Sequence, residues 1–504
     1  MLRRRAPSAR SRLTRAELED DAGLIALLSV SLDRSASESL VRQLYERLRE
    51  LILAKRLPAG AKLPSTRKLA RDLEVSRTVP LDALGQLVAE GFVEPRRGAG
   101  HFVAALPLAW TLPSVCASSS VEHRLDATIW SPSGTPFDPA WQAADLFPGQ
   151  VWVRMLGRGW RRHQSAGMER HWAGLPVLRE AIAKHLLALR GIAMTPDQIL
   201  VTMGNSDLLS LVARSAMRGR SVPVAAWVEN PGLGTARQAL EREGVRTVPV
   251  PVDCEGLVVS EGEGLAPYAQ MALVTPTRQF PLGMPLSLPR RLSLLSWARR
   301  SGAMLLDDDY DGEIRFSGRP LRSLASLDPS ARVLTLGSFS KLTFSGLRLG
   351  YAAGSADIIA DLIQCRRETY VPVPTNVQAA FAEFIVTGAF AKHLRLLRSH
   401  LTRRRRVLHD VLSGDGAGLV EIMPQEAGMH LTVRLAEPLA SRIGDVSIMV
   451  EARQRGLTLL PLSPQFVGKP RYQGFLLGYA GWHEAEIESA SKRFLKLLRE
   501  CSSA

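Results

Sequence analysis

Apolar residues recur at Leu40, Leu44, Leu48, Leu51 and Ile52, a spacing that puts them on one face of a helix. Pro58-Ala59-Gly60 interrupts the stripe. Leu63-Pro64-Ser65 opens a second, short helix with Ser65 as N-cap and Leu69, Ala70 and Leu73 apolar. Ser76 caps a third, with Leu81, Leu84, Leu87 and Val88 on its inner face, and Gly91 ends it. Phe92-Val93-Glu94 and His101-Phe102-Val103 then flank the tip Pro95-Arg96-Arg97-Gly98-Ala99-Gly100. Three helices and a basic two-stranded wing make a winged helix-turn-helix over 36–104. Residues 1–35, arginine-rich at first, read as a poorly ordered arm.

The pattern changes after residue 104. Residues 105–139 show no period and are rich in Pro, Ser, Gly and Thr, as a linker that then docks on the next domain would be. From Ile182 strands and helices alternate. The strands are expected at Ile199–Thr202, Val222–Glu229, Val245–Val250, Met271–Thr275, Ala303–Leu306, Val333–Leu336 and Leu349–Ala353. Helices fall between them, as at Leu208–Met217, Ala236–Glu243 and Leu288–Arg300. Such alternation predicts an α/β domain over 140–364, a mostly parallel sheet with helices on both faces. Residues 365–504 have longer helices and then the strands TVRL (432–435), LTLLPL (457–462) and GFLLGYA (474–480), a smaller α+β domain. Arg403 to Arg406 lie in its long helix, Ala389 to Leu412, and read as a solvated surface rather than a nucleic-acid patch.

The chemistry gathers at Val333–Tyr351, VLTLGSFSKLTFSGLRLGY. A buried strand runs into the turn Ser338-Phe339-Ser340 and a single Lys341, with Arg348 seven residues on. Burial disfavours a charged amine, and a lowered pKa suits a nucleophile or Schiff-base lysine. Two hydroxyls and an arginine suit a phosphate. Upstream, a second strand ends in Asp307-Asp308-Asp309-Tyr310-Asp311. Carboxylate, tyrosine, lysine, arginine and a small-residue turn at strand ends are the parts of a pyridoxal phosphate site. The same residues also fit a loop lysine beside a solvated strand end.

Composition narrows the classes. Of 504 residues, 46% are hydrophobic, ample for large cores. No apolar run reaches the ~18 residues needed to span a membrane, and no signal-like core follows the basic N-terminus. The 4 cysteines, at 116, 254, 365 and 501, have no metal spacing and read as reduced thiols of a cytoplasmic protein. The net charge of +15 favours polyanionic partners only weakly. The N-terminal module sharpens it: Ser65, Thr66, Arg67, Lys68, Arg71, Ser76, Arg77, Thr78, Arg96 and Arg97 are candidate contacts to double-stranded DNA. A small helical protein-interaction domain with solvated arginines would show the same pattern.

LPSTRKLARDLEVSR and LVAEGFVEPRRGAGHFV resemble the GntR winged helix. SFSK, GLRLGY, DDYDGEIRFSGRPL, AGLPVLREAIAKHL, QILVTMG, VENPG, TPTRQFPLG and EAGMHL resemble the aminotransferase-like half of MocR-type regulators, and with the winged helix the resemblance covers roughly residues 38 to 500. The resemblance implies aminotransferase fold type I and a pyridoxal phosphate cofactor. It implies Lys341 as the Schiff-base lysine and Asp308 against the pyridine nitrogen, with Asp307 as an alternative. Tyr310 would meet the phenolate oxygen. Ser338, Ser340, Arg348 and the turn Gly204-Asn205-Ser206 would meet the phosphate. No metal is implied.

The chain departs from the family pattern at several positions. Thr78-Val79-Pro80 stands where Asn-Thr-Val is usual, and Pro80 at a fourth helical position would remove the first internal bond. Leu233 replaces the ring-stacking aromatic. Arg278 stands for a common histidine and Leu282 for a threonine. Leu476 stands where aminotransferases hold the substrate carboxylate with arginine; Arg471 and Arg237 are possible substitutes. The expected function is a homodimeric transcription regulator that binds an operator and senses the cofactor or an amine or amino acid. A working aminotransferase with an accessory DNA-binding domain and a cofactor-free scaffold are the alternatives.

Overall fold

The structure, a computed structural model, describes residues 32–36, 38–96, 98–105, 134–163, 171–220, 222–316, 321–330, 332–369 and 371–503. Most of the expected arm, most of the linker, Arg97 and Cys116 lie outside them. The chain divides into two compact units, Met1–Asp126 and Ala127–Ala504.

In the first unit, helix α1 (Leu40–Leu53) buries Leu44, Leu48, Leu51 and Ile52 of the predicted stripe together with Tyr45, while Leu40 is half-buried. Helix α2 (Thr66–Asp72) starts where Ser65 accepts from the Lys68 N–H at 3.2 Å. Helix α3 (Thr78–Ala89) starts later than expected. Arg77 is its cap residue, and Ser76 Oγ accepts from the Thr78 N–H one step ahead. Pro80 is therefore the third helical residue, where no internal N–H bond exists to lose. Its ring is buried beside Ala83, Leu84 and Leu87. Leu81, about 100° further round the helix, points outward and is 58% exposed, contrary to the expected inner face. Strands β1 (Val93–Arg96) and β2 (Gly100–Val103) pair antiparallel as the wing. Leu48, Leu63, Leu69, Leu84, Leu87 and Phe92 close one core, each leucine contributing about 1.5–3 kcal/mol by burial.

The second unit is built on an eight-stranded sheet. Its strands are β3 (Ile199–Thr202), β4 (Ala225–Asn230), β5 (Arg246–Asp253), β6 (Gly256–Leu257), β7 (Met271–Val274), β8 (Met304–Asp309), β9 (Val333–Ser338) and β10 (Gly350–Ala353). Their order is β3-β10-β9-β8-β7-β4-β5-β6. Five neighbouring strands, β5, β4, β7, β8 and β9, run parallel. β10 runs antiparallel to both neighbours and β6 to β5, so the sheet is mixed. The buried runs Ile-Leu-Val-Thr of β3 and Met-Ala-Leu-Val of β7 fit a sheet covered on both faces. Asp309 lies in register with Gly337, which brings the ends of β8 and β9 side by side. Helices α4 (Gly149–His163) and α5 (Pro176–Arg190) precede the strands, and α6 (Asn205–Met217), α7 (Gly234–Arg242) and α8 (Leu288–Ser301) fall among them.

Helix α9 (Ala356–Thr369) crosses the position expected for a domain boundary, and its Cys365 packs into the core shared with β3, β4 and β9. Then come α10 (Thr375–Val386), α11 (Ala389–Gly414) and α12 (Glu484–Ser503). A four-stranded sheet has the order β11 (Val420–Ile422), β12 (His430–Leu435), β14 (Gly474–Gly478), β13 (Leu460–Pro461). The run LTLLPL pairs at only two residues, though Leu457, Leu459 and Leu462 are buried. Phe137, within the end of the expected linker, packs edge-on against Phe494 at 6.1 Å. In the arginine run, Arg403 and Arg406 are exposed as expected. Arg404 is not: it is 1% exposed by side chain and pairs with Asp145 at 2.6 Å. Among the described residues no helix is long and apolar enough to cross a membrane.

Candidate functional site

Strand alternation turns successive acids of β8 to opposite faces of the sheet. Asp307 accepts from the Leu324 N–H at 3.2 Å, and Asp309 pairs with Arg190 at 2.5 Å. Asp308 faces the other way. It accepts from Asn205 Nδ2, the first residue of α6, at 2.7 Å. Of the two acids left open by the sequence, Asp308 is the one that meets the start of α6. Burial pushes its carboxyl up to about 7, with repulsion from Asp309 added and the Asn205 bond opposing. Burial likewise raises Glu229 to about 7, against hydrogen bonds from Thr275. Lys341 follows β9. Burial lowers its amine below the usual lysine value, while Asp311, Asp138 and Asp308 pull it back up.

Arg348 and α6 frame the other side. Gly204, the cap residue of α6, has φ +105, and a Cβ there would stand 3.6 Å from the Arg348 guanidinium. A Cβ at that distance would only make ordinary contact; it is the positive φ that calls for glycine here. Arg348 is exposed and itself left-handed at φ +48. The first N–H groups of α6, at Asn205 and Ser206, have no acceptor within the helix. A guanidinium over a helix N-terminus is a place for an anion. Ser338 precedes the short turn carrying Lys341 and makes no capping bond. The Ser340 hydroxyl donates to the Leu349 carbonyl at 3.4 Å and accepts from the Leu349 N–H at 3.1 Å, which braces the Arg348 turn.

Tyr310 has a partner the sequence did not reveal. Arg278 donates to its hydroxyl and to Asp311 Oδ2, both at 2.9 Å. The same guanidinium donates to Gln425 Oε1 at 3.2 Å and to the His430 carbonyl at 3.0 Å. Arg278 is 2% exposed. Gly428, at φ +97, makes room for it, since a Cβ there would lie 2.4 Å from the guanidinium carbon. The TPTRQFPLG segment held the signal, a charged residue in a buried stretch, but its partners come from distant segments. Leu476 is fully buried in β14 between Thr432 and Leu460. Arg237 pairs with Glu241 at 3.0 Å and Arg471 is exposed. Leu233 packs against the core of α6 and α7.

These residues fit a phosphorylated pyridine aldehyde. A cation stands over a helix start for the phosphate. A desolvated amine, a buried acid and a phenol stand nearby for the ring. Asn205 Oδ1 is buried without a donor among the described residues. The described residues hold no group of His, Cys, Asp and Glu suited to a metal.

In the first unit, Arg67, Arg71, Arg77 and Thr78 are exposed along α2 and the start of α3, with Thr66 and Lys68 half-buried. Ser65 caps α2 and Ser76 precedes α3. Arg96 lies 4.4 Å over the Phe102 ring in the wing, and Arg97 is outside the described residues.

Residues 40–103 match the bacterial regulatory proteins of the gntR family, and residues 164–464 match aminotransferase class I and II. The probable rhizopine catabolism regulatory protein MocR of Rhizobium meliloti is 35% identical over 89% of this chain and 92% of its own length. The HTH-type pyridoxine biosynthesis transcriptional regulator PdxR of Corynebacterium glutamicum is 29% identical over 93% of this chain and 99% of its own. A kynurenine aminotransferase of Pyrococcus horikoshii, solved in complex with PMP, superposes with a TM-score of 0.65 at 23% identity, over 73% of this chain and 91% of that one, which establishes the fold. A gntR-type winged helix fused to an aminotransferase body, in relatives that share both parts nearly end to end, places this chain among the MocR-type transcription regulators.

Proposed function

We propose that the second unit binds pyridoxal phosphate at Lys341 and that a homodimer of the chain couples this site, and its encounter with an amine or amino acid, to operator binding. The observation that carries the reading is the convergence of Lys341, Asp308, Tyr310 and Arg348 on the ends of β8 and β9 and the start of α6. The cofactor, when bound, supplies an aldehyde that takes up amines and an electron sink behind it. The lowered pKa of Lys341 keeps a larger share of its amine unprotonated and nucleophilic. Asp308 would face the ring nitrogen and hold a proton there. Tyr310, fixed by Arg278, would meet the ring oxygen. Arg348 and the N–H groups of α6 would hold the phosphate.

Sensing is favoured over efficient transamination by Leu476. A buried leucine cannot pair with a substrate carboxylate, and a loosely held substrate loses about 10²-fold in rate for roughly 1 Å of misplacement. The relative named for pyridoxine biosynthesis supports the cofactor as a signal. Titration of the purified protein with pyridoxal phosphate tests the reading. A visible absorbance band that borohydride bleaches while fixing the cofactor to the protein, and that is missing in Lys341→Ala, is expected. A borohydride-reducible band retained in that variant would remove Lys341 from the proposal.

A further inference from the structure

We infer that α3 reads a thymine through its 5-methyl group at Leu81, and that Gly85 lets that base pair approach the helix. The inference rests on the DNA-binding reading of the winged helix. The outward face of α3 consists of Thr78, Leu81, Asp82 and Gly85, at the spacing of one helical face, and all four are exposed. The inward face is already complete with Pro80, Ala83, Leu84 and Leu87. Leu81 therefore adds nothing to the core of its own unit.

A single exposed leucine is ordinary on a protein surface. Leu81 is set apart by Gly85, one turn on. A glycine inside a helix is about 1 kcal/mol less favourable than alanine. At Gly85 a Cβ would meet nothing within 4 Å, so no contact within the unit requires its absence. An outside surface that comes close to the helix does. Arg67 and Arg71 on α2 and Arg77 at the head of α3 are also exposed, so the surface that fits is a polyanion with apolar groups in its groove. The DNA major groove presents one such group, the thymine methyl, and side chains such as leucine meet it by apolar contact. Asp82 on the same face is an acceptor suited to the amino group of cytosine.

Selection of sites from a randomised duplex library with the full-length protein defines the duplex for the test. Each thymine in it is then replaced singly by deoxyuridine, which removes only the methyl. At one thymine, the replacement should weaken wild-type binding about fourfold, the value of one buried methyl-sized group. Leu81→Ala should bind the dT and dU duplexes alike at that position. Gly85→Ala should weaken binding to the selected site without lowering the melting temperature. A selected site whose thymines all tolerate the replacement, or equal sensitivity in Leu81→Ala, would overturn the inference and leave DNA binding intact. Failure of any sequence to enrich would remove both together.

Discussion

Arg278 joins Tyr310 to the small sheet: it donates to the Tyr310 hydroxyl at 2.9 Å and to the carbonyl of His430, at the start of β12, at 3.0 Å. With Asp311 as counter-charge and Gln425 as a further acceptor, the guanidinium is a strut between the loop after β7 and the segments 425–430. A shift of those segments would be felt at Tyr310. That is the physical form in which site occupancy and domain arrangement could be coupled.

Removing the strut should be costly. Arg278→Ala leaves the Asp311 carboxylate buried without its cation, and loss of one partner of a buried pair costs about 3–5 kcal/mol. Urea unfolding of the cofactor-free protein measures it. Arg278→Ala combined with Asp311→Ala should recover part of the loss. A loss in the single variant below about 1 kcal/mol would show that the pair does not hold this region.

Asp308 makes stability depend on pH. Its carboxyl is raised to about 7 in the folded protein and titrates near 3.9 when unfolded. Below about pH 4 both states hold the proton and Asp308 contributes no difference. Between about pH 4 and 7 only the folded state holds it, so this group's contribution falls as pH rises and is fully unfavourable above 7. In ligand-free protein, Asp308→Asn should therefore be more stable than wild type at pH 8, on the order of a few kcal/mol. The gap should close towards pH 4. A gap independent of pH would contradict the raised value.

Arg348 should matter for the ligand and not for the fold. It is exposed, faces the glycine cap of α6 and lies in a left-handed turn. Arg348→Ala should reduce affinity for pyridoxal phosphate at least tenfold, as loss of a charged hydrogen bond worth about 1.5–3 kcal/mol implies. Its unfolding midpoint should match wild type. Calorimetric titration alongside thermal melts separates the two, and undiminished affinity would move the phosphate elsewhere.

Arg67, Arg71 and Arg77 should each add to DNA affinity. An alanine change at a base contact should cost about 1–3 kcal/mol, and at a phosphate contact should lower the salt slope by about 1. Anisotropy over a salt series distinguishes these outcomes. Three variants that match wild type in both affinity and slope would take α2 and the head of α3 out of the interface.

Much of the second unit was legible because its strands are short apolar runs with chemical residues at their ends. Lys341 and Arg348 stand out in the sequence by strand ends and motif spacing, whereas the choice between Asp307 and Asp308 stayed open there, and only the fold shows which of them meets Asn205. Arg278 could not be understood in this way. Its meaning lies in Asp311, Gln425 and His430, which only tertiary structure brings to it. The backbone contact of Ser340 with Leu349 was not legible either, because a hydroxyl beside a phosphate turn can also brace backbone. In the first unit the helices were legible but the rotation of α3 was not. Pro80 suggested a broken bond, whereas at the third helical position it joins the core, and the buried face turns away from Leu81.

Under the proposed function, the Lys341 site governs operator binding. The most direct measurement is the affinity of the full-length protein for a selected duplex, by anisotropy, with and without saturating pyridoxal phosphate and then with a panel of amino acids and amines. The account predicts that the cofactor, or one of those ligands added to it, changes the affinity of the wild-type protein, and that Lys341→Ala keeps a basal affinity but loses the change. An affinity indifferent to the cofactor and every ligand, or a response that Lys341→Ala retains in full, would contradict it.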